Sequence, residues 1–216
     1  MRKYLFLLCL LLFAIGVQAQ FSGSGAGTAN DPYQITDAYE LSEVRNDLAA
    51  SYKLMNDIDL TEWINDNNPT SGWAPIGIPT APFTGTFDGN NQCIYGLKID
   101  RSSLDYIGLF GFASGGKISN VTLVKPIMKG RSKVGGIAGI EGVITNCVII
   151  GGSISGNSAV GGIAGSTGSS ITGCYCNATV RGSDYIGGIA GELCSEPITN
   201  NIFSGDVFAT GTLVGG

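Results

Sequence analysis

Val134-Gly135-Gly136-Ile137-Ala138-Gly139 recurs unchanged at residues 160–165 and returns as Ile186-Gly187-Gly188-Ile189-Ala190-Gly191. A fourth start, Val214-Gly215-Gly216, closes the chain, and a looser copy, Ile107-Gly108-Leu109-Phe110-Gly111, precedes the first. From residue 107 the starts are 27, 26, 26 and 28 residues apart. Self-similarity at such a period marks a solenoid, whose units bury their apolar faces only against their neighbours. A glycine-rich phrase can also cradle a phosphate, but a nucleotide fingerprint follows one strand, opens one helix and occurs once. Recurrence in every unit makes these glycines structural. They let the backbone turn corners and bring walls close, which accounts for 34 glycines in 216 residues without disorder.

A second phrase runs Ile94-Tyr95-Gly96-Leu97-Lys98-Ile99 and Ile118-Ser119-Asn120-Val121-Thr122-Leu123, with further copies from Ile144, Ile171 and Ile198. A third has one aliphatic, Ile127, Ile154, Val180 or Val207, a few residues before a glycine. Short apolar phrases broken by Gly, Ser, Asn and Asp read as strands, and none is long enough for a helix. The fold expected is all-β, a single-stranded right-handed parallel β-helix of about 26–27 residues per coil.

Alternation along strands divides the second phrase. The columns Ile94/Ile118/Ile144/Ile171/Ile198, Leu97/Val121/Cys147/Cys174/Asn201 and Ile99/Leu123/Ile149/Cys176/Phe203 face inward. Tyr95/Ser119/Thr145/Thr172/Thr199 and Lys98/Thr122/Val148/Tyr175/Ile202 face outward.

Upstream of the repeats, residues 1–19 read as a secretory signal peptide. Arg2 and Lys3 are its charged start, residues 4–17 its apolar stretch, and Val17-Gln18-Ala19 its cleavage region. No other segment could span a membrane. Residues 20–60 read as an N-terminal cap. Asp37 with Glu40 resembles a capping box, and Leu41, Val44 and Leu48 form one apolar helix face. Residues 52–60, 73–77 and 83–87 read as irregular strands, with 65–71 a polar loop. Residues 61–216 form the β-helix. Because the unit begun at Val214 lacks its Ile-Ala-Gly and a polar cap, a longer, C-terminally truncated protein is expected.

The net charge is −5, or −7 once Arg2 and Lys3 are removed (10 basic, 17 acidic residues). This excludes the basic footprint of a nucleic-acid partner and attraction to anionic lipid. Five cysteines follow the leader: Cys93, Cys147, Cys174, Cys176 and Cys194. An odd number in an exported chain leaves at least one thiol unpaired, and Cys147 and Cys174 read as small buried hydrophobes. With no histidine and no second cysteine pair at ligand spacing, no zinc site and no cofactor are expected.

The order of phrases is distinctive. It runs Gly27-Thr28-Ala29-Asn30-Asp31-Pro32-Tyr33-Gln34-Ile35, then Asp57-Ile58-Asp59-Leu60, Trp73-Ala74-Pro75-Ile76-Gly77, Phe83-Thr84-Gly85-Thr86-Phe87-Asp88-Gly89 and the glycine units. It resembles the bacterial GLUG-motif proteins from about residue 27 to 216. The resemblance implies a secreted or surface β-helix, as in filamentous-haemagglutinin-like adhesins and the non-catalytic parts of IgA-specific metallopeptidases. The peptidases' His-Glu-x-x-His motif is absent, so their activity is not carried over.

The function expected is a surface adhesin or structural stalk that binds through a side wall. Its partners would be a host glycoprotein, matrix protein or glycan, or neighbouring domains of a longer chain. A carbohydrate-active enzyme is the alternative, but it needs clustered carboxylates, and those of the repeats form no column. A non-catalytic module of a larger secreted enzyme is the third class. No catalytic residues are assigned. The contact residues expected are Val148, Tyr175 and Ile202 in successive coils, with Tyr185 at a corner. Asp57, Asp59 and Asp88 are the densest acidic group. They are a candidate for calcium, which takes several oxygen ligands, or for turn capping.

Overall fold

The computed structural model describes residues 21–140, 142–193, 196–211 and the strand at 214–215. The expected signal peptide and Cys194 lie outside these residues.

Strand pairs in five walls are parallel throughout, and each strand's neighbour is its counterpart in the next coil. The first wall stacks seven strands, from Tyr33–Ile35 through Ser51–Leu54, Thr86–Asp88, Lys117–Ser119 and Val143–Thr145 to Ile198–Thr199. The second stacks Ile58–Asp59, Cys93–Tyr95, Thr122–Val124, Val148–Ile150, Tyr175–Cys176 and Ile202–Phe203. The third contains Lys98–Asp100, Ile127–Lys129 and Thr179–Gly182; the fourth carries Val134, Val160, Ile186 and Val214 in register. The fifth aligns Phe110, Ala138, Ala164 and Ala190. This is the parallel β-solenoid expected, and Ile107 bridges Val134 as its looser copy requires.

The ladder Phe87, Ile118, Ile144 and Ile171 is closed to solvent, as is Ile94, Leu123, Ile149 and Cys176. Each such aliphatic contributes about 1.5–3 kcal/mol relative to exposure. Backbone groups bond along the axis between coils, so the walls need no turn-by-turn hairpins.

The first coil departs from the expected columns. Ile94 pairs with Leu123, not Ile118, and Phe87 takes the place beside Ile118. Ile99 pairs with Met128 in the third wall. Lys98 lies beside Ile127, so Cys93 heads the outward column of Thr122 and Val148. The cause is local. Both phrases bend at a left-handed residue, Gly96 (φ 68°) in one and Asn120 (φ 56°) in the other. Glycine and asparagine tolerate that region. The strand–corner–strand shape is the same, but 94–99 wraps the corner between the second and third walls, one corner later than 118–123. In the third phrase Met128, not Ile127, pairs with Ile154; Ile127 is exposed.

The N-terminal residues supply Tyr33–Ile35 and Ser51–Leu54 to the first wall and Ile58–Asp59 to the second. Helix α1, Ala38–Glu43, continues as a tighter turn, Val44–Asn46. Asp37 Oδ1 accepts from the Glu40 amide (2.9 Å), and Glu40 reaches back to the Thr36 amide (2.6 Å), close to the expected capping box. Leu41 and Val44 are fully buried. The outer edge of the first strand is shielded by an antiparallel bridge from Ser24 to Gln34, which blocks strand addition there.

A second helix, α2 at Thr61–Asn67, occupies part of the expected polar loop. Asp59 Oδ1 accepts from the Thr61 amide (2.8 Å) and starts it, Ile64 is buried, and Trp63 packs on Trp73 at 5.1 Å between centroids. Seven residues are too few for helical periodicity to register. No helix among the described residues is long and apolar enough to cross a membrane.

Candidate functional site

Val148, Tyr175 and Ile202 stack in successive strands of the second wall with their side chains outward. Val148 and Tyr175 are half-buried by their neighbours, and Ile202 is 61% exposed. Like positions in adjacent strands are about 4.8 Å apart, so the three form one continuous stripe. The Tyr175 hydroxyl lies 2.7 Å from Ser204 Oγ. That bond orients the ring along the wall, with one polar end among apolar neighbours.

A parallel outward column lies two residues along. Tyr95, Val124 and Ile150 are in register, with Tyr95 and Ile150 exposed. The two apolar stretches run side by side only at the strand Val148–Ile150; from there one continues through Tyr175 and Ile202 and the other through Val124 and Tyr95. Sequence reasoning missed this second column. Its signal was the run Val148-Ile149-Ile150, since three successive aliphatics on a strand put two on the same outer face.

Tyr185 is not part of this face. It lies on the fourth wall, exposed, in the left-handed region (φ 56°). Tyr106, Lys133 and Ala159 sit at the equivalent points of preceding coils with φ of 63°, 57° and 52°. Lys133 Nζ lies 5.5 Å from the centre of the Tyr106 ring, a cation–π distance.

The acidic candidates do not converge. Asp57 Oδ1 accepts from the Cys93 amide (2.8 Å) and Asp59 Oδ1 from the Thr61 amide, while Asp88 Oδ1 accepts from the Asn90 amide (2.9 Å) and Asn120 Nδ2 (2.8 Å). The Thr61 hydrogen bonds hold the Asp59 carboxyl below its ordinary value. Among the described residues, no group of three or more Cys, Asp or Glu is placed to hold a metal ion. The three carboxylates cap turns and strand ends, and Asp57 and Asp88 also join consecutive coils.

The inward thiols are sealed. Cys147, Cys174 and Cys176 are buried and unpaired by disulfide, and Cys93 is half-buried. Burial pushes the Cys176 thiol up to about 11 and Cys147 well above its ordinary value. Burial thus disfavours the reactive thiolate at Cys147 and Cys176, whereas the hydrogen bond with Cys147 shifts Cys174 downward.

No family model matches the chain. A stretch of 124 residues, 54% of the chain, is 39% identical to "Halomucin" of Haloquadratum walsbyi. Another of 106 residues, 48% of the chain, is 42% identical to a "Putative Gly-rich membrane protein" of Evansella cellulosilytica. These matches span 1% and 12% of the length of those curated relatives. Among solved structures, a "putative immunoglobulin A1 protease" from Bacteroides ovatus superposes on 86% of this chain and 70% of its own, with a TM-score of 0.61 at 22% identity. That likeness is one of fold: the β-solenoid is shared.

Proposed function

We propose that this chain is an exported, non-catalytic β-helix of the GLUG type, displayed at a bacterial surface as an adhesin or stalk. Its second wall contacts a host glycoprotein, matrix protein or glycan, or a neighbouring domain of a longer chain. The observation that carries the reading is the outward stripe Val148–Tyr175–Ile202, extended from its Val148 end through Ile150 to Val124 and Tyr95. Contiguous exposed apolar surface on an exported protein marks a contact site, and tyrosine suits protein and sugar partners alike because an apolar ring carries a polar tip. The leader-like residues 1–19 support export. The names of the relatives, a halomucin and a Gly-rich membrane protein, support a place at or beyond the cell envelope.

A second reading, an accessory module of a larger secreted enzyme, draws on the protease description of the structural neighbour. A catalytic domain encoded elsewhere in the same gene would favour it.

The test is the triple change V148T/Y175S/I202T, which keeps strand formers at two of the three outward positions. Display at equal density should leave folding intact and lower adhesion to host cells or immobilised matrix at least tenfold. Adhesion equal to the parent would eliminate the Val148–Tyr175–Ile202 stripe as the contact surface.

A further inference from the structure

Arg101 follows the third-wall strand Lys98–Asp100 and turns toward the segment 72–74. Its Nε and Nη2 lie 3.4 Å from the Trp73 and Gly72 carbonyl oxygens, long contacts that leave the guanidinium weakly held. Across the same segment, Arg45 stands 4.2 Å over the Trp73 ring and donates to the Ser42 (2.7 Å) and Ala74 carbonyls. Burial, then the charge of Arg101, lower the Arg45 pKa to about 10. The two cations therefore feel each other.

Among the described residues, neither has a carboxylate within ion-pair distance. The nearby acids are already engaged: Asp100 with Lys129 (3.1 Å), and Asp105 with Arg131 through two contacts of 2.7 and 2.5 Å. In a chain of net charge −5, two neighbouring arginines without a counter-ion form a local excess of positive charge. Guanidinium groups match planar carboxylates through paired hydrogen bonds.

Two grooves meet at Arg101. One, of about 220 Å3, has an apolar floor of Pro75, Ile78, Pro79, Leu104 and Tyr106 and is also lined by Asp105, whose charge Arg131 neutralises. The other is a shelf bearing Ser71, Ser102 and Ser103, together with Asp100, which is held by Lys129 and accepts from the Ser102 hydroxyl. Leu104 lines both and is 48% exposed. The junction thus offers a cation, an apolar surface for the C–H face of a ring, and hydroxyls for hydrogen bonding. We propose that this junction is a binding site for a carboxylated sugar. The sugar carboxylate pairs with Arg101, its ring lies along Leu104 and Tyr106, and its hydroxyls meet the serine shelf. The proposal goes beyond the second-wall reading: the site is on a different part of the coil and needs no intact host surface.

The experiment uses the purified chain with free sugars, read by saturation-transfer and amide-shift NMR. The probes are N-acetylneuraminic acid and glucuronic acid, with glucose and inorganic sulfate as controls. The acids should bind with Kd on the order of 1 mM, shifting amides of residues 74–79 and 101–107. Arg101→Gln should weaken both acids at least tenfold. Because Arg101 also contacts residues 72–73, Leu104→Ser serves as a second variant; its side chain is exposed and bonds nothing. It should keep the parent's melting temperature and weaken the acids severalfold. Equal binding of glucose, competition by sulfate at the same concentration, absence of binding, or shifts elsewhere would each overturn the assignment. The V148T/Y175S/I202T variant should bind the acids as the parent does, so failure here and failure of the second-wall reading are separable.

Discussion

Replacing Gly165 by alanine adds one methyl group where the fifth wall lies against backbone of the fourth. Gly165 lies in the strand Ala164–Thr167, and its backbone is outside the left-handed region. Alanine is therefore conformationally acceptable, and only space is at issue. A Cβ there would stand 2.3 Å from the Lys133 carbonyl carbon, 2.4 Å from the Val134 nitrogen and 2.7 Å from the Gly139 oxygen. Ordinary contact begins near 3.4 Å, so the two walls must part by about 1 Å (3.4 − 2.3). All three neighbours are backbone atoms of the preceding coil, already bonded along the axis, so no side chain can rotate away. Overpacking of this kind costs about 3 kcal/mol, a large fraction of the roughly 5–15 kcal/mol that holds a domain together. With a urea m-value of about 2–3 kcal/mol/M, the midpoint should fall by about 1 M. Gly115→Ala is the control. That site has open space around it but a φ of 82°, so its cost is conformational, about 1–2 kcal/mol. A Gly165→Ala midpoint equal to the parent's, or a loss no larger than that of Gly115→Ala, would refute the argument that wall contact demands glycine here.

Ile171→Asp should place an unpaired carboxylate in the first-wall ladder between Ile144 and Ile198 and cost on the order of 4 kcal/mol or more; limited proteolysis should then cut the coils on either side, and parent-like resistance would show the register to be wrong. The Cys176 thiol stays protonated in the fold until about pH 11, while in the unfolded chain it ionises near 9. Between those values the unfolded state holds fewer protons, so stability falls as pH rises, by up to about 1.4 kcal/mol per pH unit. Urea titrations of Cys176→Ala from pH 8 to 11 should show a shallower decline than the parent, and an unchanged slope would assign the alkaline loss to other groups.

Much of this protein is decided within a dozen residues of chain. The period of 26–28 residues, the alternation of Ile118, Val121 and Leu123 with polar partners, and the Asn or Gly at each corner determine a strand–corner–strand unit. They also determine that it repeats. The outward places of Val148, Tyr175 and Ile202 followed from the same alternation, because side-chain direction on a strand has period two. Which wall a unit occupies is not a local property. The phrases at 94–99 and 118–123 have the same pattern and the same left-handed bend, yet lie one corner apart. Only stacking against the neighbouring coils, where a shift of one wall would misalign every ladder above it, assigns Ile94 beside Leu123 and Met128 beside Ile154. Helix α2 likewise depends on Trp63 meeting Trp73 and on Ile64 reaching the core, since seven residues have little helical stability alone. The junction at Arg101 belongs wholly to the tertiary structure: Arg45, the 72–74 segment and the loop after residue 100 are far apart in the chain. Their unmatched charge exists only because Lys129 and Arg131, one coil later, engage the acids on either side of Arg101.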